Sequence, residues 1–109
     1  MSFSIDIEVQ DVDGNTQVLP VITGMYGSSK PMWEKALGEG APSNLDGIEA
    51  RALATRLDAA ARDSILNEQD YRDIEEARGL ASFRAFRDAL FALIRTCHKY
   101  PYGTIRHTN

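Results

Sequence analysis

The chain has 109 residues and a mass of 12.1 kDa, the size of one domain with one modest core. Sixteen acidic and 12 basic side chains leave a formal charge of −4 and a pI of about 5.1, against the basic excess of a general nucleic-acid binder. With 43% hydrophobic residues, 26% charged residues and a single cysteine, the composition excludes intrinsic disorder, a collagen-like repeat and a disulfide scaffold.

Phe3, Ile5, Ile7 and Val9 alternate with Ser4, Asp6, Glu8 and Gln10. A period of two predicts a strand with one wet face. Asp13-Gly14 or Gly14-Asn15 supplies the positive φ of a tight hairpin turn, and Thr16 to Ile22 reads as the returning strand. Pro20 lacks an N–H, which places that strand at an edge. Residues 23–31 read as a flexible loop, with Pro31 in the first turn of a short helix running to Leu37. Gly38, Gly40 and Pro42 end that helix.

Ser43 or Asn44 is expected to cap a second helix. Ile48, Ala52, Leu53, Leu57, Ala60, Ala61 and Ile65 recur along it at helical spacing. Asn67 reads as the cap of a third helix. Glu68, Gln69 and Asp70 suit its first turn, Tyr71, Ile74 and Ala77 form a thin apolar stripe, and Gly79 stops it. Ser82 opens the clearest helix. Phe83, Phe86, Leu90, Leu93, Ile94 and Cys97 fall within about 100° of arc on it, the width of a core-facing stripe. Pro101 ends this helix, and residues 102–108 are rich enough in β-formers for a third strand. The sequence predicts a single small α+β domain, a hairpin and a C-terminal strand packed against three or four helices.

Charge fixes one pairing. Residues 1–15 carry four acids and no base, whereas residues 89–109 carry Arg95, Lys99, Arg106 and two histidines with no acid. Opposite charges on adjacent strands are mutually favourable, so the segment Thr104 to His107 is expected beside the first strand.

No catalytic pattern emerges. Cys97 lies on the apolar stripe, where a thiol behaves as a small hydrophobe, and the neighbouring His98 points about 100° away from it. His98 and His107 have no metal-ligand spacing, and Asp11-Val12-Asp13-Gly14-Asn15 lacks the glycine and glutamate positions of a calcium loop. Ten acids between Asp46 and Asp88 alternate with seven arginines, the pattern of solvated helices. Neither an enzyme nor a cofactor is therefore expected. A chain start without a basic or apolar leader, a longest apolar run of six residues and the lone cysteine point to the cytoplasm and away from membranes. The preference for arginine over lysine and the abundance of alanine fit a bacterial or phage genome.

Two surfaces carry recognition chemistry. On the last helix Arg84, Arg87, Asp88, Phe91, Arg95 and His98 share a stripe beside the core stripe. Arginine and aromatic residues are the types enriched at binding hot spots, so this stripe is expected to dock a protein partner or a second copy of the chain. The alternative is a surface satisfied within the molecule, with Phe91 covered and the arginines paired to Glu75 and Glu76. The second surface is the glycine-rich connection. Ser28, Ser29 and Lys30 lead into a helix N-terminus and suit an anionic, nucleotide-like ligand, shared in one version between two copies. Tyr26 and Trp33 either stack on that ligand or plug the core. The leading expectation is a small acidic regulator, inhibitor or immunity-type factor acting by protein–protein contact.

Overall fold

Alternation in the first ten residues becomes the middle strand of a three-stranded sheet. The computed structural model describes residues 2–79 and 81–109. β1 (Ser2–Gln10) lies between β2 (Thr16–Tyr26) and β3 (Thr104–Thr108), antiparallel to both. Phe3, Ile5 and Ile7 are buried on one face, and Ser4, Asp6 and Glu8 are half-buried on the other. The opposed charges of the two chain ends meet as expected. Asp6 is the cross-strand partner of Arg106, whose Nε lies 3.1 Å from Glu8 Oε1.

The hairpin turns on Asp11. Its Oδ1 accepts the N–H groups of Asp13 and Asn15, both at 2.9 Å, while Gly14 takes φ +80°. β2 is an edge strand with Pro20 opposite Asp6. It also runs through Thr23 to Tyr26, which the sequence assigns to a loop. Gly24 makes this possible. At φ +64° it accompanies the register shifts opposite Phe3 to Asp6, donates its N–H to Ser4 Oγ at 3.1 Å, and lets Met25 rejoin the ladder beside Phe3.

Four helices follow: α1 (Lys30–Leu37), α2 (Ala50–Leu66), α3 (Glu68–Arg78) and α4 (Phe83–Lys99). Ser43 and Asn44 do not cap α2; they lie in a separate 3-10 turn, Ser43–Leu45. The chain between is held instead by β3. Gly47 donates to the Ile105 carbonyl at 2.7 Å, the Ile105 N–H returns to Ile48 at 2.9 Å, and Ala50 donates to Gly103 at 2.8 Å. This segment closes the outer edge of β3 and delays α2 until Ala50. Gly103 is buried there, where a Cβ would stand 2.6 Å from Ile7 Cδ1.

The inward face of α2 is set by Leu53, Leu57, Ala60 and Ser64. Ser64 satisfies its hydroxyl by donating to the Ala61 carbonyl at 2.7 Å. Ile65, expected in the core, is one residue out of phase and 62% exposed. Asn67 stands before α3, but its side chain donates to Asp63 Oδ1 at 2.7 Å and leaves the helix uncapped. Ser82 does cap α4, accepting from Ala85 at 3.1 Å, and Glu75 of α3 accepts the Phe83 N–H at 2.6 Å.

Aromatic rings run through the core from one element to the next. Tyr71 of α3 stacks on Phe86 of α4 with centroids 5.5 Å apart, and Phe86 meets the edge of Trp33 of α1 at 5.0 Å. Trp33 contacts Phe3 of β1 at 6.2 Å, and Phe3 stacks on His107 of β3 at 5.5 Å. The Tyr71 hydroxyl donates to Asp63 Oδ2 at 2.5 Å, with Lys35 Nζ 3.8 Å from the same oxygen. The Tyr71 hydrogen bond, followed by the Asn67 amide and Lys35, holds the Asp63 carboxyl below its usual range against the opposing effect of burial.

Two outcomes follow from this core. Trp33→Ala removes a fully buried ring with two aromatic neighbours and should cost about 3–5 kcal/mol in chemical denaturation. Tyr71→Phe removes one hydrogen bond to a charged group and should cost about 1.5–3 kcal/mol at neutral pH. Because Asp63 is depressed in the folded state, its contribution is complete above its unfolded pKa and is lost as pH falls through the folded value. The gap between wild type and Tyr71→Phe should therefore narrow as pH drops below the carboxylate range. A gap independent of pH would rule out the Asp63 linkage.

Candidate functional site

Two side-chain contacts show where α4 lies against its neighbours. Arg87 Nη1 lies 4.0 Å from Glu68 Oε1 at the start of α3, and His98 Nε2 lies 3.6 Å from Asp58 Oδ1 on α2. The beginning of α4 thus sits near the end of α2, and its end near the middle of α2, so the two helices run antiparallel. On that register Phe91 falls level with Ile65. Arg87, Phe91, Ile94 and His98 share one flank of α4, and Asp58, Ala61 and Ile65 share the flank of α2 that meets it.

This face is partly open among the described residues. Arg84, Arg95 and His98 are exposed, and Arg87 and Phe91 are half-buried. Phe91 stands outside the hydrophobic core, whereas Ile94 and Ala61 pack against it. Ile65, 62% exposed, adds a large apolar side chain to the same region, while Leu66, 74% exposed, points about 100° further round α2. Around them stand Arg62, Arg84 and Arg95, none of which enters an ion pair among the described residues. Glu75 is committed to the α4 N-terminus and does not neutralise them. Arg87 and Arg72 lie over the Phe83 ring, 5.6 and 5.3 Å from its centroid. The result is an apolar strip with a guanidinium border, suited to an acidic, partly apolar surface.

Ala52 and Ile65 are the residues of the α2 stripe that periodicity alone misplaces; both are exposed. The signal that locates them is Ser64. It continues the Leu53, Leu57, Ala60 phase, and a small hydroxyl bonded to its own helix fits inside more easily than the sequence pattern suggests.

The glycine-rich connection divides its residues. Gly27–Ser29 forms a 3-10 turn, in which successive side chains point about 120° apart. Ser29 turns inward and donates to the Tyr26 carbonyl at 2.7 Å. Trp33 is completely buried, so its ring cannot stack on a ligand. Tyr26 is 63% exposed. Ser28 and Lys30 do come together, lining a cleft of about 400 Å³ with Ser2, Phe3, Gly27 and Asn109; among the described residues no arginine joins them there. A second cleft of about 540 Å³, at the base of the hairpin, is lined by Glu8, Lys99, Tyr100 and Tyr102 and has no counterpart in the sequence reading.

Among the described residues no group of His, Cys, Asp and Glu side chains is placed to hold a metal ion, and no helix is long and apolar enough to cross a membrane. Cys97 is buried, and burial pushes its thiol up to about 11. Native protein at neutral pH should resist alkylation by a maleimide or iodoacetamide, with full labelling only in denaturant. Rapid labelling of the folded chain would place the thiol at the surface. Comparison with protein-family models, with characterised proteins and with solved structures returns no match.

Proposed function

We propose that this chain is a small non-catalytic binding protein whose α2–α4 face docks an acidic, partly apolar surface of another protein. The observation that carries this reading is the exposure of Ile65 on the flank of α2 nearest the half-buried Phe91, beside Arg62, Arg84 and Arg95, which have no ion-pair partner among the described residues. Exposed apolar groups of this size, clustered and rimmed by polar residues, mark interaction surfaces. The guanidinium groups are weakly hydrated planar forks that pair with carboxylates in two-point geometry, so they favour an acidic partner over a neutral one. In a chain of net charge −4 this cationic border also gives a docking partner one preferred approach. A cytoplasmic regulator, inhibitor or immunity-type factor of bacterial or phage origin is the class of protein this describes.

The test is a double charge reversal, Arg84→Glu with Arg95→Glu, and separately Ile65→Asp. Both sites are exposed, so the melting temperature should stay within a few degrees of wild type. The partner is captured from extract of the native host, identified, purified and titrated against each form. Either variant should weaken binding about tenfold or more, and wild-type affinity should fall with added salt. Equal affinity for wild type and both variants removes the α2–α4 face as the docking surface.

A further inference from the structure

β3 stops before β1 does. The ladder between them ends at Glu8 opposite Thr104, while β1 runs on through Val9 and Gln10. The hairpin fixes which way those last backbone groups face. Asp11 donates its N–H to the Asn15 carbonyl at 2.9 Å, so that pair is bonded. Antiparallel pairs alternate between bonded and open. The next pair, Gln10 opposite Thr16, is therefore open, as is Glu8 opposite Val18. An open pair turns its N–H and C=O away from the partner strand. Glu8 turns them to β3, where Thr104 is its neighbour. Gln10 turns them the same way, beyond the end of β3, and makes no backbone hydrogen bond to residues 100–103.

The gap beside Gln10 is the cleft of about 540 Å³. Val9 and Gln10 form one wall, and the connection from α4 to β3 forms the other. Val9 and Tyr100 pack against the core from either side of it, and Tyr102 is exposed. The connection is fastened on its far side instead of to β1. Arg51 and Ala50 donate their N–H groups to the Pro101 and Gly103 carbonyls, both at 2.8 Å, and the Arg51 guanidinium lies 5.0 Å from the Tyr102 ring centre. These bonds keep the cleft from closing. Of its two charged side chains, Glu8 is matched by Arg106 at 3.1 Å. Lys99 enters no ion pair among the described residues, so the uncompensated charge is one ammonium.

An N–H and a C=O on one strand residue are matched by the C=O and N–H of one residue of another extended chain. The complement of this edge is a peptide. The slot is short, because Gly103 and Thr104 occupy the positions beyond it and Asp11 turns away before it. A strand cannot run through; it has to end there. Lys99 selects the end that carries a carboxylate. We propose that the cleft between Gln10 and Tyr102 binds the C-terminal end of an extended polypeptide, running antiparallel to β1 and in line with β3. The last residue donates its N–H to the Gln10 carbonyl. Its carboxylate accepts the Gln10 N–H and pairs with Lys99 Nζ, and its side chain, apolar, rests on Val9 and Tyr100. The site uses none of the residues of the α2–α4 face and stands or falls independently of it.

The full chain is titrated with N-acetylated tetrapeptides ending in valine, leucine or phenylalanine, each as the free acid and as the C-terminal amide, and its backbone amides are followed by NMR. At least one free acid should give saturable shifts centred on Gln10, Lys99 and Tyr102 and slow the exchange of the Gln10 amide with deuterium. The matching amide should bind about tenfold more weakly. Lys99→Ala should erase that preference, so that acid and amide bind alike. Gln10→Pro removes the N–H at an outward-facing strand position, where proline is tolerated, and should abolish saturable binding. The absence of saturable shifts with every peptide overturns the proposal. So does equal binding of acid and amide to wild type, an acid preference that survives Lys99→Ala, or binding retained by folded Gln10→Pro. Where Gln10→Pro fails to fold, the acid and amide titrations of wild type and Lys99→Ala decide alone.

Discussion

The contact between Trp33 and Phe86 is the constraint on which the arrangement rests. It joins the shortest helix to the longest apolar stripe, and through it the ring of Tyr71 on α3 communicates with Phe3 on β1 and His107 on β3. Edge-to-face and offset geometries are favoured because the negative ring face meets a positive ring edge, and each ring also hides a large apolar area. A chain of this length has few apolar groups to spend on its core, so one unbroken line of rings substitutes for a thick interior.

That line decides what both candidate surfaces can do. Because Trp33 closes the core between Phe3 and Phe86, it is unavailable to a ligand, and the cleft beside it is left with Phe3, Ser28 and Lys30. Because Phe83 and Phe86 set the rotation of α4, Phe91 is carried off the core and onto the flank that faces Ile65. The two surfaces are therefore fixed by opposite ends of the same packing: one where the Trp33 ring of α1 faces in, the other where the Phe91 ring of α4 does not.

The parts of the fold that follow from local periodicity or charge were legible in the residues. Alternation located β1, the Ser82 cap and the apolar stripe located α4, and the uneven placement of acids and bases correctly brought β3 beside β1. What sequence could not supply was context from distant backbone. Gly47 to Ala50 look like the start of a helix and are instead held by β3. Gly103 falls inside the segment 102–108, which reads as a strand, and nothing local marks it as the close approach that lets Ile7 pack. Ser64 and Ile65 exchange the places that hydropathy assigns them, because the phase of α2 is set by Leu53 and Leu57 together and a serine can satisfy itself against its own helix. Within the candidate sites, the stripe on α4 was visible from spacing. Ile65 and the open edge at Gln10 emerge only once the pairing of elements is known.

The pairing of β1 with β3 has a consequence in time. Of the elements of the fold a ribosome makes the central strand first and its second neighbour last, with β2 and the four helices between them. Until residues 104–108 emerge, Ile7 lacks the strand that carries its partner Ile105, and the loop ahead of α2 has no strand to hold it. Closing so long a loop is entropically slow and comes before its contacts repay it. The nascent chain thus carries a half-built sheet until residues 104–108 have been made, and that strand acts as the latch that completes it.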